Sequence, residues 1–314
     1  MKIVNIDGHC TNPGDLSWEQ FKKYGDFTVY ERTEPEQIVE RICDADAIFC
    51  NKSIITNEIL DQCKNLKYVG LQSTGVNVID CDYARSKGIT VTNIPAYSTN
   101  EVAQHVFAFI LHTTNHIAEH NDAVHRGDWE NCPDFCFWTS PLAELNQKTI
   151  GIIGFGSIGR RVAKIAKVFG MRVLVYTPHP DNTDVNFVTF EVLLKNSDFV
   201  TCHCPLNSKT KGLINQEAVM QMKESAVLIN TSRGPVLDEI AVAEALNDGK
   251  IKAACVDVLS VEPPNHDNPL LHAKNCVITP HIAWAATETR ARLLAMLEEN
   301  LKAFIEGHPQ NVVN

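Results

Sequence analysis

The chain has 314 residues, of which 44% are hydrophobic and 21% charged, a composition typical of a globular protein with a substantial apolar core. Its 28 basic and 38 acidic residues give a formal net charge of −10, and no block of basic residues is present. Nucleic acids and anionic membrane surfaces are therefore excluded as expected partners. The length predicts about two domains.

The amino terminus and the cysteines favour a cytoplasmic protein. The first ten residues enter a short strand pattern without the apolar core of a signal peptide, and no run approaches the roughly 18 apolar residues of a membrane helix. The 11 cysteines are odd in number and scattered, which favours reduced thiols over a disulfide framework. The CxC pair (Cys202, Cys204) and the CxxxC pair (Cys132, Cys136) lack the spacing of a zinc site. No metal is expected.

Short β-rich segments alternate with amphipathic segments through the first hundred residues. Predicted strands lie at residues 2–6, 27–30, 47–50, 68–71 and 89–93. Predicted helices between them lie at residues 17–24, 35–43 and 57–63. This order of elements is typical of a parallel sheet covered by helices on both faces.

A long predicted helix, from residue 100 to about residue 118, separates this part from a second series, with Ser98 or Thr99 as its N-cap. It leads into an aromatic stretch, residues 129–138, that is unlike an ordinary solvated loop. The second series has predicted strands at residues 149–154, 172–176, 199–204, 226–230, 253–258 and 276–279. A helix at residues 287–305 follows.

The strongest local motif is the glycine loop Gly154-Phe-Gly156-Ser-Ile-Gly159. It follows a predicted strand and opens a predicted helix, the two contextual conditions for a dinucleotide-binding fingerprint. Gly154 would form the tight turn, Gly156 would admit the pyrophosphate, and Gly159 would let the helix pack against the strand. A glycine turn that binds no ligand is the alternative interpretation.

The end of the second strand in this series bears on the choice between NAD and NADP. NAD enzymes usually place an acidic residue there, about 20 residues after the loop, to bind the ribose hydroxyls. This chain has Thr177, followed by Pro178-His179-Pro180. It therefore has neither the acid that repels the extra phosphate of NADP nor a cation that attracts it. We expect NAD, with NADP as an alternative.

Three residues with complementary chemistry follow three successive predicted strands of the second series: Arg233, Glu262 and His281. Doubly wound sheets bind ligands at the edge where their strands end. Arg233 would bind the carboxylate and carbonyl of a 2-keto acid, and His281 would donate a proton to the oxygen that becomes an alkoxide. Glu262 would favour the protonated imidazole.

Each of these residues also has a structural interpretation. Arg233 could form an ordinary ion pair, Glu262 could be a solvated loop acid, and His281 could be a hydrogen-bonded histidine at a strand end. Their shared position after three strands of one cofactor domain favours the catalytic interpretation for all three.

Residues 151–284 resemble the D-isomer-specific 2-hydroxyacid dehydrogenases, and the first half of the chain matches the same family. The matching segments of the second half, beyond the glycine loop, are His203-Cys-Pro205, Asn230-Thr-Ser-Arg-Gly234, residues 257–264 and Thr279-Pro-His281. Those of the first half are residues 73–80 and 93–99. The resemblance implies an α/β fold of two doubly wound parallel-sheet domains. A flavodoxin-like substrate domain would comprise residues 1–99 plus 287–314, and an inserted Rossmann NAD-binding domain residues 100–286.

The resemblance also implies roles for individual residues. Arg233, Glu262 and His281 take the three catalytic positions of the family. The implied cofactor contacts are Thr74, Gly154, Gly156, Ser157, Ile158, Gly159, Thr177, Cys204, Thr231, Arg233, Asp257, His281 and Ala283. The implied substrate contacts are Thr74, Gly75, Arg233 and His281. Asn51, Lys52 and Ser73 are further predicted substrate contacts, because a hydroxylated substrate requires a small polar pocket. Thr177 departs from the NAD pattern of the family.

Residues 93–99 and 131–138 resemble the glycerate dehydrogenase (hydroxypyruvate reductase) branch, which implies reduction of hydroxypyruvate to D-glycerate. The alternatives are a dehydrogenase for glyoxylate, D-lactate or 3-phosphoglycerate, or an NAD(H)-sensing corepressor-like binding protein of the same fold. A small 2-keto or 2-hydroxy acid is the expected ligand. The aromatic stretch favours a homodimer contact over intrachain core cover.

Overall fold

The computed structural model describes residues 1–314, which divide into two compact units. Unit 1 comprises Met1–Ser98 and Trp284–Asn314, and unit 2 comprises Thr99–Ala283. The domain boundaries predicted from the sequence are 99/100 and 286/287, and the functional assignment of the two units stays a prediction. No helix combines the length and apolar character that a membrane span requires.

Unit 1 contains a five-stranded parallel sheet. Its strands are β1 (Lys2–Asn5), β2 (Asp26–Val29), β3 (Ala47–Cys50), β4 (Tyr68–Leu71) and β5 (Thr90–Thr92), and its helices are α1 (Gly8–Thr11), α2 (Glu19–Lys22), α3 (Ile38–Ile42), α4 (Asn57–Gln62), α5 (Cys81–Ser86) and α12 (Thr287–Ile305). The strand order is β2-β1-β3-β4-β5, and every neighbouring pair is parallel. This is the flavodoxin-like order, in which ligands bind where the order reverses.

The two faces of this sheet are buried under helices from distant parts of the chain. Ile38, Ile42 and Leu60 of α3 and α4 pack on one face. Phe21 of α2 and the apolar stripe of the C-terminal helix α12 pack on the other. Because both faces are covered, β3 and β4 are buried along their whole length and consist mainly of apolar residues.

Unit 2 contains a seven-stranded parallel sheet. Its strands are β6 (Thr149–Ile153), β7 (Arg172–Tyr176), β8 (Asn186–Phe187), β9 (Phe199–Cys202), β10 (Val227–Asn230), β11 (Ala253–Val256) and β12 (Cys276–Ile278), and its helices are α6 (Thr99–Asn115), α7 (Ile117–His125), α8 (Ser157–Val168), α9 (Phe190–Asn196), α10 (Gln216–Gln221) and α11 (Glu239–Asn247). The order is β12-β11-β10-β9-β6-β7-β8, the Rossmann arrangement extended by one strand. Helices α6 and α8 cover one face, and α9, α10 and α11 cover the other.

The long predicted helix is interrupted near its end. Helix α6 stops at Asn115, and His116 takes a left-handed conformation with φ of 47° before α7 begins. A non-glycine residue at positive φ changes the direction of the chain. The prediction of one helix from residue 100 to about 118 is therefore wrong at this point, whereas the predicted fold class of two parallel α/β domains is confirmed.

Leu297 tests how strongly α12 stabilises unit 1. Its side chain is fully buried, and a Cβ added at Gly70 on β4 would lie 3.0 Å from Leu297 Cδ1. Because truncation leaves a cavity in this close contact, Leu297→Ala should lower the free energy of unfolding by about 3 kcal/mol. Urea denaturation measures this value. The exposed neighbour Glu299 provides the control, since Glu299→Ala should change it by less than about 0.5 kcal/mol. Equal effects of the two variants would contradict the packing described here.

Candidate active site

The glycine loop joins β6 to α8 in unit 2. Gly154 has φ of 92°, and a Cβ there would lie 2.6 Å from the carbonyl oxygen of His203. A Cβ at Gly159 would collide with the carbonyl oxygen of Gly154. Gly156, in contrast, has no heavy atom within 4 Å of such a Cβ. Two glycines are thus required by the protein's own packing, and the third borders open space.

The surroundings of this loop fit a dinucleotide. Gly156 is the N-cap of α8 and provides no side-chain acceptor, so the amides of the first turn have no side-chain cap. Such amides bind phosphate well. The hydroxyl oxygen of Thr231, in the loop after β10, is buried and has no hydrogen-bond partner in the protein. Unused amides and an unpaired buried hydroxyl are the features that a bound pyrophosphate and nicotinamide ribose would satisfy.

The loop after β9 carries two groups that are uncharged at neutral pH. Burial lowers the pKa of His203 to about 3, and its Nε2 lies 2.9 Å from the hydroxyl of Thr201. His203 Nδ1 is buried without a partner. Burial also raises the pKa of the Cys204 thiol. This part of the loop therefore adds no charge to the cofactor region.

Arg233 lies in the loop after β10, which is held by several internal hydrogen bonds. Asn230, fully buried, donates from its amide to the carbonyl of Arg233 (2.9 Å) and accepts from the backbone N–H (3.0 Å) and hydroxyl (2.7 Å) of Ser232. The Arg233 guanidinium donates from Nη1 to the Ser232 carbonyl at 2.7 Å. Gly234 then packs directly on the backbone of Leu259, where any Cβ would collide. This contact places the Arg233 loop against the loop that carries Glu262.

His281 and Glu262 form a direct pair. His281 Nδ1 lies 2.6 Å from Glu262 Oε2, and the other carboxylate oxygen accepts from the backbone N–H of Leu259 at 3.2 Å. Because a carboxylate only accepts, Nδ1 carries the proton and donates it. The side chains are 30% and 26% exposed, so the pair is shielded yet accessible. Nε2 of His281 is left available to a ligand.

His281 itself has left-handed backbone geometry, with φ of 56°. Its N–H donates to the Asp257 carbonyl at 2.8 Å and to the Thr279 carbonyl at 3.0 Å. Asp257 is 2% exposed, and its carboxylate accepts from the backbone N–H of Ile282 (2.8 Å) and of Ala283 (2.9 Å). Asp257 therefore holds the chain on both sides of the histidine. Ala283 is also buried. The cofactor contacts predicted for Asp257, His281 and Ala283 stay predictions.

Thr279 and His105 belong to this hydrogen-bond network, although neither was predicted as a site residue. Thr279 donates its hydroxyl to Asp257 Oδ1 at 2.6 Å. His105, on α6, has Nε2 3.0 Å from the same hydroxyl and 3.7 Å from the carboxylate. The motif Thr279-Pro-His281 marked the threonine, but no local pattern in α6 distinguishes His105 from an ordinary helix residue. Only the packing of α6 reveals its position.

Five predicted substrate residues lie in unit 1, after β3 and β4. The backbone N–H groups of Asn51, Lys52 and Ser53 all donate to Asp7 Oδ2, at 2.6, 3.0 and 3.0 Å. Asp7, which follows β1, is 7% exposed and was not among the predicted residues. One buried carboxylate thus shapes the loop after β3, where the strand order reverses.

The second of these loops contains Ser73, Thr74 and Gly75. The Ser73 hydroxyl donates to the carbonyl of Gly75 at 2.7 Å, and the Thr74 hydroxyl donates to the carbonyl of Ile94 at 2.8 Å. Both side-chain hydroxyls therefore support the loop, and the backbone amides are the groups best suited to hold an anion.

Known proteins resemble this chain over its whole length. The family model described as "D-isomer specific 2-hydroxyacid dehydrogenase, NAD binding domain" matches residues 107–283. A hydroxypyruvate reductase of Blautia hydrogenotrophica is 46% identical, with 100% of both chains covered. A glycerate dehydrogenase of Methylorubrum extorquens is 39% identical over 99% of this chain and 98% of its own.

Solved structures show the same likeness. An acyclic imino acid reductase (Bsp5) in complex with NADPH and D-Arg superposes with a TM-score of 0.87 at 33% identity, with 100% of both chains covered. The apo-structure of D-lactate dehydrogenase from Escherichia coli gives a TM-score of 0.85 at 25% identity, again over 100% of both chains. The chain belongs to the D-isomer-specific 2-hydroxyacid dehydrogenase family, as an oxidoreductase with an NAD-binding domain.

Proposed function

We propose that the protein reduces hydroxypyruvate to D-glycerate with NADH, by the reaction hydroxypyruvate + NADH + H⁺ ⇌ D-glycerate + NAD⁺. The observation that carries the proposal is the 2.6 Å hydrogen bond from His281 to Glu262, beside the Arg233 loop at one edge of a dinucleotide-binding sheet. The substrate assignment is supported by the two full-length relatives named for this activity.

The cofactor would be held by residues of unit 2. Backbone amides of Ser157 and Ile158 in the first turn of α8 would bind the pyrophosphate, and the absence of a side chain at Gly156 permits its approach. The unpaired hydroxyl of Thr231 is a candidate partner for the dinucleotide. Bound NADH supplies the hydride that adds to the keto carbon.

His281 is the proposed proton donor. Its Nδ1–H is engaged by Glu262, so Nε2–H of the imidazolium is the group that donates to the carbonyl oxygen as it becomes an alkoxide. Glu262 accepts the hydrogen bond from Nδ1 and so fixes the ring orientation. The backbone N–H groups of Ile282 and Ala283 donate to the Asp257 carboxylate, and these hydrogen bonds keep the ring in place without involving its nitrogen atoms.

Arg233 is the proposed substrate anchor. One guanidinium N–H bonds to the carbonyl of Ser232, which leaves the remaining N–H groups for the carboxylate and keto oxygen of the substrate. In unit 1, the loop amides of Ser73–Gly75 are proposed to bind an anion. Asn51 and Lys52, in the loop after β3 of the same unit, stay predicted substrate contacts.

The first test is a substrate comparison at fixed NADH, with hydroxypyruvate, glyoxylate, pyruvate and 3-phosphohydroxypyruvate. Because the site offers several polar contacts, kcat/KM for hydroxypyruvate should exceed that for pyruvate, which lacks the C3 hydroxyl, by about tenfold or more. Loss of NADH absorbance at 340 nm gives the rates. A preference for another keto acid would contradict the substrate assignment, and NADH binding without any turnover would favour a sensing role.

His281→Ala tests the proton donor. It should lower kcat by about 10² to 10⁴-fold, since general acid catalysis contributes that much, while the NADH dissociation constant changes little. Steady-state rates and NADH fluorescence titration measure the two quantities. The exposed His308 in unit 1 supplies the matched control, because His308→Ala should leave kcat unchanged. Near wild-type turnover by the His281 variant would remove it from the mechanism.

We further propose that the protein is a homodimer through the aromatic stretch at residues 129–138. Trp129, Phe135 and Trp138 are 52%, 89% and 66% exposed, an unusual concentration of large apolar side chains on one segment. The base of the segment is held to α7, where the backbone N–H of Thr139 donates to His120 Nε2 at 3.2 Å. Exposed aromatic clusters of this kind usually mark protein interfaces.

Mass measurement by light scattering tests the dimer. The wild-type chain of 34.9 kDa should elute at about twice that mass, because the aromatic side chains would be buried in a partner. Phe135→Ser with Trp138→Ser should shift it toward the monomer. Val168→Ser, at an 88% exposed apolar residue of α8, is the control and should leave the mass unchanged. A wild-type monomer at micromolar concentration would refute the interface.

A further inference from the structure

An ion pair links the cofactor helix to the loop after β7. Arg160, in α8 directly after Gly159, donates from Nη2 to Oδ2 of Asp181. Asp181 lies four residues beyond Thr177, at the strand end that determines how a Rossmann domain treats the adenosine ribose. The pair therefore joins the cofactor helix to the loop that begins at the position that sets the choice between NAD and NADP.

Both partners are held in place by neighbours. The Asp181 Oδ1 atom accepts from the backbone N–H of Thr183 at 3.0 Å and from its hydroxyl. The guanidinium of Arg160 lies over the ring of Phe155, 4.5 Å from its centroid, inside the glycine loop. Hydrogen bonds from Thr183 and from Arg160 lower the pKa of Asp181 to about 2, so it carries its charge at neutral pH.

The charges near the end of β7 explain why the Arg160–Asp181 pair bears on the choice between NAD and NADP. Thr177 is uncharged, and its hydroxyl accepts the backbone N–H of His179 at 3.3 Å. NADP enzymes commonly use an arginine near this point to bind the 2′-phosphate. Arg160 is a cation in a position suited to that role. However, the Asp181 carboxylate neutralises its guanidinium. The two side chains are 39% and 38% exposed.

We propose that Asp181 is a specificity-determining residue that favours NADH by engaging Arg160. An additional phosphate on the ribose would have to compete with a carboxylate that already occupies the guanidinium. NADH has no such phosphate, so its binding does not require the Arg160–Asp181 pair to open. The inference rests on the proposed function only in so far as unit 2 binds a nicotinamide dinucleotide, and it is independent of the keto acid.

The test measures dissociation constants for NADH and NADPH by nicotinamide fluorescence, without a keto acid. Asp181→Asn keeps an oxygen acceptor for Thr183 and removes the negative charge. The ratio of NADPH affinity to NADH affinity should rise about tenfold, as expected for one charge-assisted hydrogen bond in a partly exposed site. In Arg160→Gln with Asp181→Asn, the ratio should return toward the wild-type value, because the released cation is no longer present.

Asp184→Asn is the matched control. Asp184 lies in the same loop, pairs with Lys167 at 3.0 Å and is fully exposed, so the substitution changes the net charge equally without releasing Arg160. Its affinity ratio should equal that of the wild type. An unchanged ratio in Asp181→Asn, or a raised ratio that persists in the double variant, would overturn the inference. Missing turnover of every keto acid would instead count against the proposed function alone.

Discussion

The buried carboxylate of Asp257 is the constraint on which the geometry of the site depends. A carboxylate that is 2% exposed is costly to bury unless hydrogen bonds replace its hydration. Here the replacements come from the hydroxyl of Thr279 and from two backbone N–H groups of one segment, residues 282–283. Satisfying the carboxylate therefore requires the chain after β12 to adopt one conformation. That conformation includes the left-handed His281, whose ring then meets Glu262.

A second constraint is the close contact of backbones at the strand ends. Gly154 packs on the carbonyl of His203, and Gly234 packs on Leu259. Because neither position has room for a Cβ, the loops after β6 and β9, and those after β10 and β11, lie directly against each other. Residues far apart in the chain thereby converge at one sheet edge. The same logic applies in unit 1, where Asp7 accepts three successive backbone N–H groups after β3.

Local charge at these strand ends differs from the charge of the whole chain. The net charge is −10, yet the groups proposed to bind anions are backbone amides and Arg233. The nearby His203 and Cys204 stay uncharged because burial moves the pKa of each away from neutrality. An acidic protein can therefore present a positive site for an anionic cofactor and an anionic substrate.

Much of the fold and of the candidate site could be predicted from the sequence, because the sequence signals are local. Alternating strand and helix patterns predicted two parallel sheets, and the spacing of three glycines after a strand predicted the dinucleotide loop. Arg233, Glu262 and His281 could be named since each follows a predicted strand, and parallel strands end at a common edge. What remained hidden depends on contacts between distant segments: His105 on α6, Asp7 beneath the loop after β3, and the pairing of Arg160 with Asp181. A helix pattern shows which residues are buried but not what they meet. Strand order, loop contacts and the partner of each buried charge are decided only when the chain packs.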